Sequence, residues 1–170
     1  MNKLKYALKS LLYKFLYRFQ IDDIKITEGI ILSKLNNQSD QLLKLEDAEF
    51  KVFSQFGDDG IIDYLINKLP IDNKFFIEFG VGDYMESNTR FLLMKNNWTG
   101  FVMDGSKDNI NLLKKSYFYW KFDLNSKAVF ITRDNINKLL SDGNVPSKVG
   151  LLHIDLDGND YHIWEIIYML

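Results

Sequence analysis

From Phe75 onward, short apolar runs alternate with stretches in which apolar residues recur every three or four positions. The runs are Phe75–Phe79, Gly100–Asp104, Ala128–Thr132 and Val149–Asp155. Short runs bounded by turn residues and apolar at nearly every position predict strands buried on both faces. The periodic stretches between them predict helices at 61–69, 87–96, 107–117 and 134–140, with a last one from Tyr161. Pro70 ends the first, and Gly143 and Pro146 make a turn before the fourth strand. Alternation of strand and helix predicts an α/β fold, a Rossmann-like parallel sheet with helices around it.

The first 49 residues follow another pattern. Residues 1–20 carry Lys3, Lys5, Lys9, Lys14 and Arg18 and no acid, and most of Leu4, Leu11, Leu12, Phe15, Leu16 and Phe19 share one helical face. A basic amphipathic helix of this kind packs on protein or lies on an anionic membrane surface. Between Ile21 and Leu45, the residues Ile21, Ile24, Ile31, Leu35, Leu42 and Leu45 fall on a heptad seam, with Glu28 and Gln38 in its two remaining positions. Gly29 and Asn36-Asn37 interrupt it. The stretch reads as an amphipathic arm or as a homo-oligomerisation helix. The chain thus divides into a helical arm, 1–49, and a domain, 50–170.

Composition narrows the class. A hydrophobic content of 46% with 26% charged residues is that of an ordinary globular protein. The absence of cysteine rules out disulfides and thiolate metal sites and agrees with a cytoplasmic location. The basic segment adds a second reading, a peripheral position at the inner membrane surface. A net charge of −2 argues against binding nucleic acid by bulk phosphate neutralisation. No apolar run approaches the ~18 residues of a membrane span.

The candidate chemistry sits at the strand ends. The first strand runs into Gly80-Val81-Gly82-Asp83, and the second ends on Asp104-Gly105-Ser106. Strand, glycine turn, helix and a second strand ending in a carboxylate form the arrangement by which an open parallel sheet holds a nucleoside-containing cofactor. The turn brings backbone to the ligand, and the acid accepts ribose hydroxyls. A dinucleotide fingerprint needs a third glycine where Met85 stands, and no Gly-Lys-Ser/Thr follows for a phosphate loop. The plainer alternatives are a tight turn at the glycines, a salt-bridged carboxylate at Glu78 and a helix cap at Asp104.

What remains, Glu78 followed by Gly80 and Gly82 with an acid closing the next strand, resembles class I S-adenosylmethionine-dependent methyltransferases. Within these, Ser54-Gln55-Phe56-Gly57-Asp58-Asp59-Gly60, Glu78 to Gly82, Glu86-Ser87-Asn88-Thr89, Trp98, Asp104-Gly105-Ser106 and Ile154 to Tyr161 look like the FkbM-type subset. The match runs from about residue 53 onward and departs at Tyr84, where many class I enzymes carry a third glycine. The resemblance implies the strand order 3-2-1-4 and S-adenosyl-L-methionine as cofactor. Glu78 would then bond the cofactor amino group, and Asp104 the ribose. Asp83, Asn88, Gly105 and Ser106 would border the ligand, Gln55 would close over its carboxylate, and Asp134 or Asn135 would meet adenine or cap the next helix.

At the fourth strand, Asp155 and Asp157 stand two apart before Gly158, Asn159 and Asp160. Three readings apply: a general base for a substrate hydroxyl, with Asp155 first; a divalent-cation site on Asp155 and Asp157; or a structural turn, with Asp160 capping the last helix. His162 is a further candidate base. His153 reads as a hydrogen-bonded core histidine, and Trp98, Trp120 and Trp164 as packing residues. The resemblance implies three further strands beyond the fourth, so the chain reads as shortened, its fourth strand an open edge. The function expected is O-methylation of a small-molecule, sugar or glycan-precursor hydroxyl. The alternative is a non-catalytic remnant or oligomerising module of the same fold.

Overall fold

The computed structural model describes residues 8, 10–12, 21–38 and 44–167. Helix α1 (Ile21–Gln38) and a 3-10 turn (Leu45–Ala48) precede α2 (Asp58–Lys68). Then β1 (Phe75–Phe79), α3 (Arg90–Asn96), β2 (Thr99–Asp104), α4 (Lys107–Lys114), β3 (Leu124–Ala128), α5 (Ile136–Asp142), β4 (Leu151–Ile154) and α6 (Asp160–Trp164) follow in alternation. The strands form one sheet in the order β3-β2-β1-β4, all parallel. This is an α/β Rossmann-like arrangement, with β1 at its centre flanked by β2 and β4.

The pleat of β1 sorts the core onto two faces. Phe76 points to one side with Val102, Leu92, Leu93, Ile110 and Leu113, under α3 and α4. Ile77 and Phe79 point to the other with Phe101, Met103, Ile136, Leu140 and Ile163, under α5 and α6. All these side chains are buried. Glu78 shares the Phe76 face, and the register sets it beside Val102 on one side and His153 on the other.

Several expected boundaries shift, each for a visible reason. The third strand is Leu124–Ala128 and not Ala128–Thr132. It is an edge strand carrying Asn125, Ser126 and Lys127, and edges tolerate polar residues that a central strand excludes. The apolar Val129 and Ile131 that suggested a strand pack instead from the following loop. Helix α3 begins at Arg90, after Ser87, Asn88 and Thr89 have been drawn to Glu78. Helix α2 starts at Asp58, behind Gly57 at the N-cap position, and not at residue 61. Of the three tryptophans only Trp98 is buried; Trp120 and Trp164 are exposed.

Helix α1 lies against the domain by the face opposite its heptad seam. Gly29 is the contact point: a β-carbon there would meet Val52 at 2.5 Å and the Phe91 ring at 2.8 Å. Asn36 Nδ2 donates to the Ala48 carbonyl and Lys25 Nζ to that of Val52. The tightest link is Asp22, whose Oδ2 receives Arg90 Nη2 at 2.5 Å and the Tyr117 hydroxyl at 2.7 Å. Arg90 is 1% exposed, its guanidinium lying between the rings of Phe53 (3.9 Å) and Phe118 (4.5 Å). The seam residues Ile24, Ile31 and Leu35 are left exposed. Leu42 and the basic residues of 1–20 lie outside the described residues. Among the described residues, no helix is long and apolar enough to cross a membrane.

Candidate cofactor site

The carboxyl ends of β1 and β2 are joined directly. Gly82 N–H donates to Asp104 Oδ2 at 2.8 Å, so the glycine turn and the acid that ends the second strand form one unit. Asp104 Oδ1 accepts from Ser106 N–H at 2.7 Å and more distantly from Asn109 Nδ2 at 3.4 Å. Oδ2 thus keeps a lone pair, and Oδ1 has only a long second partner that a hydroxyl can replace. Ser106 is the N-cap of α4, accepting from Asn109 N–H. Asp104 and Ser106 therefore share the capping work that the sequence left open.

The two glycines act differently. Both have positive φ, +76° at Gly80 and +55° at Gly82. A β-carbon on Gly80 would lie 1.7 Å from the Asp155 carbonyl, so this glycine is where the end of β4 meets the turn. A β-carbon on Gly82 would meet nothing within 4 Å, so the turn presents an open flank to a ligand. Tyr84 also has positive φ, +64°, and is fully buried. The backbone thus keeps the left-handed conformation a glycine would supply at this position, while the ring fills the core.

Glu78 faces inward. Its Oε2 accepts from the Ser87 hydroxyl (2.7 Å), Thr89 N–H (3.2 Å) and the Thr89 hydroxyl (2.5 Å), and its Oε1 accepts from Asn88 N–H (3.0 Å). With the residue 3% exposed, these bonds hold the 87–89 loop over the strand end. The Tyr84 hydroxyl lies 2.7 Å from Thr89 Oγ1. Burial, and after it the Glu78 carboxylate, push the Tyr84 phenol well above its ordinary range. Asn88 Nδ2 lies 2.9 Å from His153 Nε2, and His153 Nδ1 lies 3.7 Å from Glu78 Oε1. His153 is hydrogen-bonded as expected, though only half-buried.

The remaining candidates are spread around this centre. Asp83 Oδ1 accepts from Met85 N–H inside the turn. Gly105 is exposed, and a β-carbon on it would touch the Phe130 ring at 3.4 Å. Asp134 is exposed, whereas Asn135 is spent on its own loop, accepting from Thr132 N–H and donating to the Phe130 carbonyl. Gln55 is exposed next to a buried Ser54, whose hydroxyl serves Asp59. Asp155, Asp157 and His162 are all exposed. Asp157 (φ +50°) and Gly158 (φ +92°) form a turn that Asp160 secures by accepting Leu156 N–H at 2.6 Å. Asp160 is thus the first residue of α6 and a turn anchor, with Asn159 at the N-cap position. Among the described residues, no group of three or more His, Asp or Glu side chains comes together to hold a metal ion.

One residue at the site escaped the sequence reading. Phe130, 76% exposed, stands beside Gly105 just past the end of β3. A strand drawn four residues too late placed it in a buried interior. The available signal was the Asn125-Ser126-Lys127 triplet, whose polarity suits an edge strand ending before the aromatic. Comparison of the chain with protein-family models, with curated proteins and with solved structures gives no match in any of the three.

Proposed function

We propose that this chain binds S-adenosyl-L-methionine at the carboxyl ends of β1 and β2 and belongs to a methyltransferase acting on a hydroxyl. The observation that carries the reading is the bond from Gly82 N–H to Asp104 Oδ2, beside an open glycine flank. A ribose diol fits this unit: one hydroxyl meets the free lone pair of Oδ2, and the other displaces the long Asn109 contact on Oδ1. The exposed Phe130 ring is a platform for the purine. Glu78, turned inward, positions the loop bearing Asn88 and keeps one lone pair on Oε1, where Asn88 N–H is its hydrogen-bond donor. The cofactor, when bound, supplies a methyl group activated on a sulfonium centre.

On the acceptor side, Asp155 and Asp157 stand exposed at the end of β4, and Asp155 abuts Gly80 through its carbonyl. A carboxylate there takes the hydroxyl proton as the oxygen attacks, Asp155 being the first choice. A divalent cation on the same pair would need oxygen ligands from the substrate or solvent, because among the described residues no group of three or more His, Asp or Glu comes together to hold an ion. The class of acceptor, a sugar or glycan precursor, rests on the family resemblance. Calorimetry with S-adenosylhomocysteine tests the proposal. We expect saturable binding at sub-millimolar ligand, weakened at least tenfold in Asp104→Ala with the fold intact by circular dichroism. Absence of binding at near-millimolar ligand would refute it.

A second reading concerns assembly, since α1 docks by one face and leaves Ile24, Ile31 and Leu35 exposed on the other. That spacing suits pairing with a second copy of the helix. Sedimentation equilibrium on the wild type and on an Ile24→Ser/Ile31→Ser/Leu35→Ser variant distinguishes the cases. Two monomers would dispose of the idea.

A further inference from the structure

Between α4 and β3 the chain reads Lys114-Lys115-Ser116-Tyr117-Phe118-Tyr119-Trp120-Lys121, and no acid occurs between Asp108 and Asp123. The fold holds three of the four aromatic rings of this loop. Phe118 is fully buried in the core under α3 and α4, with Tyr117 edge-on to it at 5.3 Å. The Tyr117 hydroxyl donates to Asp22 Oδ2 at 2.7 Å, and the Tyr119 hydroxyl lies 3.0 Å from Ser126 Oγ on β3. Turn bonds from Tyr119 N–H to the Ser116 carbonyl (3.3 Å) and from Lys121 N–H to the Phe118 carbonyl (2.9 Å) set the backbone. Trp120 is the exception, 78% exposed. Lys121 Nζ lies 5.7 Å from its ring centre and 5.3 Å from that of Tyr117. Lys114, Lys115 and Lys121 are exposed, as is Leu112. Charges act together over about a Debye length, ~10 Å, so the three ammonium groups of so short a turn make one positive field.

A second observation lies along the chain ahead of α1. The Asp22–Tyr117 bond seats the first turn of α1 on this loop, so the segment before Ile21 joins the domain at the same place. In that segment Leu8, Leu11 and Leu12 are helical and spaced to share one face, and they are 67%, 71% and 58% exposed. Lys5, Lys9 and Lys14 stand among them in the sequence. A basic amphipathic helix packs on protein or lies on a membrane surface, and the domain does not cover this stripe. Exposed leucines and an exposed tryptophan gain by leaving water. The lysines that accompany them select an anionic surface. Nucleic acid would offer the charge without an apolar layer for the leucines, and a chain of net charge −2 attracts it poorly.

We propose that the chain docks on an anionic lipid surface through two parts, the Leu8, Leu11 and Leu12 stripe and the 114–121 loop led by Trp120. The stripe enters the boundary between headgroups and acyl chains. The indole sits at the headgroup level, its ring in the apolar layer and its N–H toward water. The lysines of both parts meet the lipid phosphates and carboxylates. Two weak anchors joined in one chain hold where either alone would bind only reversibly. The loop precedes β3 at one edge of the sheet, whereas Asp155 and Asp157 follow β4 at the other, so docking uses the edge away from these acids. Lipid docking stands apart from the cofactor reading and does not depend on it.

The test is co-sedimentation of the full chain with phosphatidylcholine vesicles, with and without about one-third phosphatidylserine. Binding is expected on the anionic vesicles alone, and it should fall as salt is raised. A lysine near such a surface is worth about fivefold in partition, so Lys114→Ala/Lys115→Ala/Lys121→Ala should bind about tenfold more weakly or worse. Leu8→Ser/Leu11→Ser/Leu12→Ser should also lose binding, and both variants should keep the circular dichroism spectrum of the wild type. Brominated lipid should quench tryptophan fluorescence in the wild type and in Trp164→Phe, and should not in Trp120→Phe. No binding to anionic vesicles, equal binding to neutral ones, or a lysine or leucine variant that binds as the wild type does overturns the proposal. So does quenching that survives Trp120→Phe, or a single-stranded oligonucleotide held more tightly than the vesicles, which would assign the loop to nucleic acid.

Discussion

Replacing Asp22 by alanine removes the only charged partner the described structure gives to the buried guanidinium of Arg90, across 68 residues of sequence. Breaking a buried ion pair from one side costs about 3–5 kcal/mol, since the other charge stays desolvated. Two features lower that figure here. The Asp22 side chain is 23% exposed, so water reaches the vacated position. Arg90 also keeps the Met85 carbonyl at 3.0 Å and its two aromatic neighbours. We therefore expect a loss of about 2–3 kcal/mol, which for a chain of this size lowers Tm by roughly 4–12 °C. Urea unfolding followed by tryptophan fluorescence measures it, with the slope checked for two-state behaviour. A companion variant, Asp22→Leu with Arg90→Met, removes both charges and retains apolar volume, so it should return to within about 1 kcal/mol of the wild type. If Asp22→Ala costs less than about 0.5 kcal/mol, or if the double variant is as unstable as the single, the pair does not hold the arm as argued.

The glycine turn predicts an asymmetry: Gly82→Ala should fold at a cost of about 1–2 kcal/mol from its positive φ, yet lose S-adenosylhomocysteine binding by calorimetry. Gly80→Ala, which would drive a methyl into the Asp155 carbonyl, should fail to accumulate as soluble folded protein. Phe130→Ala should weaken S-adenosylhomocysteine binding about 5- to 150-fold, as loss of one stacked base does, with Tm unchanged within about 2 °C. Tyr84 and Tyr117 are both raised above the ordinary tyrosine range by burial, followed by Glu78 for Tyr84 and by Asp22 for Tyr117. Their folded pKa values exceed the unfolded ones, so the stability they contribute is intact below pH ~10 and lost as pH rises beyond it. An ultraviolet phenolate titration should show two tyrosines ionising only with alkaline unfolding, and Tyr84→Phe should remove one of them.

The central architecture was legible because β1, β2 and β4 are short and almost wholly apolar, and a parallel sheet buried on both faces demands that. The glycine–acid unit was legible for the same kind of reason, since Gly80, Gly82 and Asp104 are residue types that few other roles require in that order. The edge strand was not, because Asn125, Ser126 and Lys127 satisfy an edge while looking like a loop. Pairings were hidden altogether. Nothing in the residues around Glu78 tells that Ser87, Asn88 and Thr89 will donate to its oxygens, and nothing near Arg90 points to Asp22. Such partners are set by how helices seat on the sheet, which periodicity does not specify. The arm shows the limit most clearly: the helix ends at Gln38, so the expected seam does not run on it to Leu45, and the domain is held by Gly29, Ser33 and Asp22 on the face away from Ile24, Ile31 and Leu35.

The position of β1 in the sheet bears on how the chain is made. Its partner on one side, β2, follows within about twenty residues, but Leu151, opposite Phe76 on the other side, lies 75 residues further along. At a synthesis rate of about 5–20 residues per second, β4 leaves the ribosome roughly 4–15 s after β1. Through that interval the flank of Phe76-Ile77-Glu78-Phe79 that β4 will cover carries free backbone groups and aromatic side chains, which is the condition under which nascent strands pair wrongly. The β1-α3-β2 unit can close early, because its contacts are local. The strand order thus leaves the β4-facing edge of β1 without its partner until Leu151 has been made. The nascent protein should depend on chaperones for as long as β4 is late.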